Sequence, residues 1–122
     1  MPALDAIGIV TANTAESLRF YALLGVHPED ASGDHVEATL PNGLRLMWDT
    51  EELIRRLEPE WQPPTGQRVS LAFLCESVDD TFATVTGAGF ESAAEPWDAF
   101  WGQRYAQVLD PDGNQVSLFA PL

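Results

Sequence analysis

The chain has 122 residues, enough for one folded domain with a real core and too few for two independent ones. Its 45% hydrophobic and 20% charged residues are ordinary for a globular protein, and no run approaches the roughly 20 apolar residues of a membrane span. Nineteen acidic against six basic residues give a formal net charge of -13, which repels nucleic-acid phosphates and anionic membranes and draws cations. Neither nucleic acid nor membrane is therefore expected as a partner, although solubility alone accounts for such a charge in many acidic proteins. The first residues, Met-Pro-Ala-Leu-Asp, have no basic start and no apolar stretch, so no secretion signal is expected. The single cysteine, Cys75, allows no internal disulfide and suits a reducing cytoplasm.

In chain order, Leu4 to Val10 alternate and are rich in β-branched residues, which predicts a strand. Asn13 or Thr14 can cap a helix over about 15–24, stopped at Gly25. Three strands are expected near 26–30, 34–40 and 43–49, the last two joined at Pro41-Asn42-Gly43, since Asn-Gly between alternating runs signals a hairpin. Glu51 to Leu57 can form one or two helical turns. Glu58 to Gln67, rich in proline and without periodicity, reads as a linker.

The plan then repeats. Arg68 to Cys75 predicts a strand, Val78 to Ala88 a helix stopped by Gly89, and strands follow near 90–95, 103–109 and 114–119. Asp110-Pro111-Asp112-Gly113 closes the last hairpin as Pro41-Asn42-Gly43 closes the first. Aligning Gly43 with Gly113 sets Leu46 beside Val116 and Trp48 beside Leu118. Module one covers about 1–57, the linker about 58–67 and module two about 68–122. Two βαβββ modules that cover each other's sheet faces give an α+β fold, a curved eight-stranded mixed sheet around a central cleft.

Ser17-Leu18-Arg19-Phe20-Tyr21 with Leu24-Gly25 resembles the first-helix signature of the vicinal-oxygen-chelate superfamily, the glyoxalase, bleomycin resistance and dioxygenase proteins. Trp101-Gly102-Gln103-Arg104-Tyr105 with Asp110-Pro111-Asp112-Gly113-Asn114 is similar to the closing hairpin of its bleomycin-resistance branch. The resemblance covers essentially the whole chain and speaks to fold more than function, because function lives in the site. It implies four positions at which metal-dependent members carry His or Glu ligands. Here they fall on Ala6, Met47, Ser70 and Ser117, none of them a good ligand for a hard or borderline cation. His27, just past the first helix, and His35, at a strand start, lack metal spacing and read as exposed histidines rather than ligands, so neither metal nor cofactor is expected.

Strand parity sends Glu37, Arg45 and Met47 inward from the first module, with Ala6 and Gly8 from strand one. From the second it sends Ser70, Tyr105, Gln107, Ser117 and Phe119. Without the metal ligands, the expected cleft is emptied of charge and left with space. Trp61 in the linker and Trp97, Phe100 and Trp101 before the last hairpin form an aromatic rim; Trp97 and Trp101 suit a ligand and a subunit contact equally, and Trp61 suits a subunit contact slightly better. Trp48 reads as core. Cys75 reads as a buried, inert thiol, and Asp98 as a possible anchor for a ligand amine.

These residues resemble the antibiotic-sequestering branch most. The resemblance implies a non-catalytic homodimer that captures an aromatic or cationic antibiotic or natural product. A metal-independent or atypical-metal lyase or isomerase, using Glu37, Tyr105 or Arg45, is the second expectation. A regulatory or scaffold module without a small ligand is the third.

Overall fold

Alternation along AIGIVT becomes β1 (Ala6–Thr11), which pairs in parallel with β3 (Arg45–Thr50). The connection runs through α1 (Thr14–Ala22) and β2 (His35–Thr39), and β2 pairs antiparallel with β3 to give the order β1-β3-β2. Asn13 starts α1 by accepting the Glu16 N–H at 3.1 Å, one of the donors a helix start leaves unpaired. α2 (Glu51–Leu57) follows β3 directly. It is capped by Thr50 and has Glu51 and Glu52 in its first turn and Arg55 and Arg56 in its last, matching the helix dipole at both ends. The computed structural model describes residues 1, 3–66 and 70–122, and these elements lie in the first of two units, Met1–Pro63 and Pro64–Leu122. The boundary falls inside the proline-rich segment 58–67.

Unit 2 repeats the plan. β4 (Leu71–Leu74) pairs in parallel with β7 (Gln115–Pro121), β7 with β6 (Gln103–Leu109), and β6 with β5 (Ser92–Ala99), in the order β4-β7-β6-β5. Ser77 caps α3 (Val78–Gly87) through the Asp80 N–H at 3.1 Å, as Asn13 caps α1. Both helices also end alike. The N–H of Val26 returns to the Tyr21 carbonyl, and that of Phe90 to the Val85 carbonyl.

Three differences from the sequence reading have physical causes. No strand forms near 26–30: Pro28 has no N–H to give, and the Asp30 carboxylate takes both the backbone N–H and the hydroxyl of Ser32, a local turn that competes with a ladder. The described residues thus carry seven strands where eight were expected, in two mixed sheets of three and four strands, and the α+β class with its repeated modules stands. β5 runs on to Ala99, so Trp97 belongs to a strand; Pro96 is tolerated because β5 is a sheet edge with bulges beside it. β4 begins at Leu71, and Arg68 and Val69 of the expected strand lie outside the described residues.

The two units share one register. Leu40 N–H bonds the Leu44 carbonyl at 2.8 Å and Asp110 N–H the Asn114 carbonyl at 2.9 Å, while Gly43 and Gly113 take φ of +89° and +84°, which favours glycine in both turns. His35 then faces Asp49 as Tyr105 faces Phe119, and Glu37 faces Met47 as Gln107 faces Ser117. The alternate residues are core. Val36, Ala38, Leu46 and Trp48 are buried in unit 1, and Ala106, Val108, Val116 and Leu118 in unit 2. Trp48, 1% exposed, meets Tyr21 of α1 edge-on at 5.7 Å, the core role expected for it.

Candidate functional site

Because the core side chains of each sheet point toward its helix, the opposite parity forms an open face on each unit. On unit 2, Trp97, Tyr105 and Phe119 stand in one cross-strand row, with Leu74 beyond Phe119. Trp101 follows in the β5–β6 turn. Its ring centroid lies 5.5 Å from Trp97, 5.0 Å from Phe100 and 5.2 Å from Tyr105, with interplanar angles of 89°, 86° and 79°. Such edge-to-face contacts hold rings in fixed orientations. The cluster is nevertheless open to solvent, with Trp97 41%, Trp101 47% and Phe100 91% exposed.

The polar groups beside it carry no charge. Tyr105 Oη and Ser117 Oγ share a hydrogen bond of 2.7 Å, and Gln107 Nε2 donates to Tyr105 Oη at 3.2 Å and Ser117 Oγ at 3.4 Å. Trp101 Nε1–H donates to Gln103 Oε1 at 2.8 Å. Ser117 is only 5% exposed, so its hydroxyl is held rather than free to turn. Asp98, expected as an anchor for an amine, is otherwise engaged. Arg104 donates to it at 3.1 Å and grips Asp79 of α3 through two nitrogens, on the helix side of the sheet. The guanidinium holds the Asp79 carboxyl below its ordinary range.

Unit 1 presents the opposite chemistry, a charged face that includes the Glu37 and Arg45 expected there. His35 sits at the start of β2, as expected, with Nδ1 on Asp49 and Nε2 on Glu37 at 2.7 Å. Arg45 Nη1 donates to Glu37 at 2.8 Å, and its Nη2 and Nε donate to Asp5 at 2.6 and 3.2 Å. The result is an alternating chain, Asp49–His35–Glu37–Arg45–Asp5. Hydrogen bonds to Glu37 and then Asp49 raise the His35 pKa above its ordinary value, and bonds from His35 and Arg45 lower that of Glu37. Sequence reasoning missed His35 and Asp49. Applying the hairpin register to HVEAT and RLMWD would have set them opposite each other.

The structure thus gathers Trp97, Phe100, Trp101, Tyr105, Gln107, Ser117 and Phe119 on or beside one face of unit 2. It gathers Glu37, Arg45 and Met47 on a face of unit 1. Ser70 is exposed just ahead of β4. Trp61 follows α2 under the Arg55 guanidinium, 5.3 Å from its ring centroid, and lines a shallow open depression with Glu58, Pro59 and Glu60. Cys75 is half-buried rather than fully buried, and its thiol donates to the Phe73 carbonyl.

At the positions the resemblance associates with a metal, the residues do not fit one. Met47 offers a thioether between Gly8 and Glu37, and the Ser117 hydroxyl is engaged by Tyr105 and Gln107. No group of three or more His, Cys, Asp or Glu among the described residues is arranged to hold a metal ion.

Residues 3–118 match the family model described as "Glyoxalase/Bleomycin resistance protein/Dioxygenase superfamily". No curated protein matches the chain. Among solved structures, a glyoxalase/bleomycin resistance protein/dioxygenase from Nocardioides superposes with a TM-score of 0.79 at 24% identity, over 100% of this chain and 85% of the other. A family enzyme from Burkholderia phytofirmans gives 0.87 at 17% identity, over 99% and 100%. A protein from Agrobacterium tumefaciens, solved in solution, gives 0.79 at 28% identity, over 100% and 99%. The first two likenesses speak to fold alone. Among the described residues, no helix is long and apolar enough to cross a membrane.

Proposed function

The chain belongs to the glyoxalase/bleomycin resistance protein/dioxygenase superfamily, and on that premise we propose that it is a non-catalytic small-molecule binder that sequesters an aromatic or cationic antibiotic or natural product. The observation that carries this reading is the solvent-open ring cluster centred on Trp101, set beside the neutral Tyr105–Ser117–Gln107 hydrogen-bond chain. Fixed aromatic rings with a few oriented polar groups suit a flat ligand. Tryptophan faces attract a cation, and the net charge of -13 draws one toward the protein.

Sequestration requires affinity without turnover, and fixed rings with oriented neutral polar groups supply affinity. The proposed contacts for that ligand are Trp97, Phe100, Trp101, Tyr105, Gln107, Ser117 and Phe119 on unit 2; Glu37, Arg45 and Met47 belong to the separate face of unit 1. Action as a homodimer in a reducing cytoplasm, suited to a lone thiol, completes the reading. Tryptophan fluorescence titrated with a panel of planar aromatic cations and antibiotics tests it. Saturable quenching, with protection of cells expressing the protein, is expected. No quenching by any member and no protection would overturn it.

The chain Asp49–His35–Glu37–Arg45 favours a second reading, a metal-independent lyase or isomerase. An imidazolium can serve as general acid and a guanidinium as anion clamp. Chemical change in a ligand found by titration would select it. A stoichiometric metal in the purified protein would instead favour an atypical-metal version.

A further inference from the structure

We infer that His35 is a proton switch on the open face of unit 1: its imidazolium ties Asp49 and Glu37 together, and loss of the proton releases Glu37.

The geometry fixes the protonation state of the closed form. An ionised carboxylate only accepts hydrogen bonds, and one such group faces each ring nitrogen of His35, Asp49 at Nδ1 and Glu37 at Nε2. Both nitrogens must therefore carry hydrogen. A neutral imidazole has one N–H and one lone pair, and the lone pair cannot face a carboxylate favourably. One partner must go.

The neighbours decide which. Glu37 keeps the Arg45 guanidinium at 2.8 Å, while the bond to Asp49 joins two residues directly opposed across β2 and β3. The neutral ring therefore keeps Asp49 and frees the Glu37 oxygen it held. Among the described residues, Glu37 on β2 and Asp49 on β3 bond the ring directly; Arg45 on β3 and Asp5 ahead of β1 join through Glu37, while Asp34, next to His35 in the chain, is tied to Arg56 of α2 at 2.8 Å. Three carboxylates against two cations in the chain from Asp49 to Asp5 leave one net negative charge; without the proton there are two. The hydrogen bonds that raise the His35 pKa act in the same direction.

The switch stands independently of any ligand on unit 2, so its failure and that of the binding reading are separable. NMR titration of the whole protein in a His27→Gln background follows the one remaining imidazole, together with the Glu37 side-chain carboxyl carbon. We expect His35 to titrate above an ordinary histidine and the Glu37 signal to move at the same midpoint. Asp49→Asn and Glu37→Gln should each bring the midpoint down. A midpoint at or below that of a free histidine, or a Glu37 signal that ignores the His35 transition, would overturn the switch. His35→Gln provides the control. It should abolish the step at Glu37 whether or not it alters stability, and a step that persists would also overturn it.

Discussion

His35 and Tyr105 occupy equivalent places on equivalent strands, and each holds the open face of its unit together by hydrogen bonds, the first through charge and the second without any. His35 faces Asp49 across a hairpin and Tyr105 faces Phe119 across its counterpart; Glu37 beside Met47 becomes Gln107 beside Ser117. Beneath them the core rows remain alike, Leu46 and Trp48 in one unit and Val116 and Leu118 in the other. A one-residue slip would turn a core row to solvent, so register is held wherever one face is buried. The open faces escape that constraint. One scaffold, written twice, thus carries an ion-pair chain on one unit and an aromatic, uncharged face on the other.

The comparison can be broken hardest at the core. Trp48→Ala should cost about 3–5 kcal/mol and Leu118→Ala about 2–5 kcal/mol in urea denaturation, because both side chains are fully buried and leave cavities. Near-neutral behaviour of either would mean that the two rows are not equivalent cores. At the open faces, Trp101→Ala should weaken any ligand found by the fluorescence titration at least about tenfold, about 1.4 kcal/mol, while His35→Gln changes that affinity far less. Equal losses would erase the distinction drawn between the two faces.

Smaller effects sharpen it. Tyr105→Phe should cost about 1–2 kcal/mol at any pH near neutral, since it removes the hydroxyl that bonds the uncharged Ser117 and Gln107 side chains. The caps should behave as a matched pair. Asn13→Ala and Ser77→Ala each remove a side-chain acceptor at 3.1 Å, and each should cost about 1 kcal/mol in thermal or urea unfolding.

The smallest expected effect is the dependence of stability on pH, and it belongs to unit 1. His35 has a raised pKa, so its contribution is fully present below the ordinary histidine value of about 6.5 and lost as pH rises through the folded value. Glu37 has a lowered pKa, so its contribution is present above the ordinary carboxylate value of about 4.3 and lost as pH falls through the folded value. Wild-type stability relative to His35→Gln should therefore be greatest between those two ordinary values. A difference that grows with pH above 6.5 would have the wrong sign.

Much of the fold was legible because its signals are local and repeated. Asn-Gly and Asp-Gly turns, cap residues and alternating apolar runs each specify their own geometry, and finding them twice fixed the plan of both units. The strand expected near 26–30 failed for a local reason too, the Asp30–Ser32 turn beside Pro28. The faces were harder to read. The register puts Glu37, Arg45 and Met47 on one parity of their sheet, and Tyr105, Gln107, Ser117 and Phe119 on one parity of theirs, but parity does not say which side chains bond one another. His35 looked isolated because Asp49 is fourteen residues away in sequence and directly opposite in the sheet. Asp98 looked available because Asp79, which shares its Arg104, lies on a different element.

The central claim, that the aromatic face of unit 2 takes a small molecule, is tested most directly by the four indole N–H signals of the protein in an NMR titration with planar aromatic cations. Saturable shifts at Trp97 and Trp101, with Trp48 unmoved in its core, are the result expected. No saturable shift at either indole across the panel would contradict the claim, as would shifts confined to Trp61.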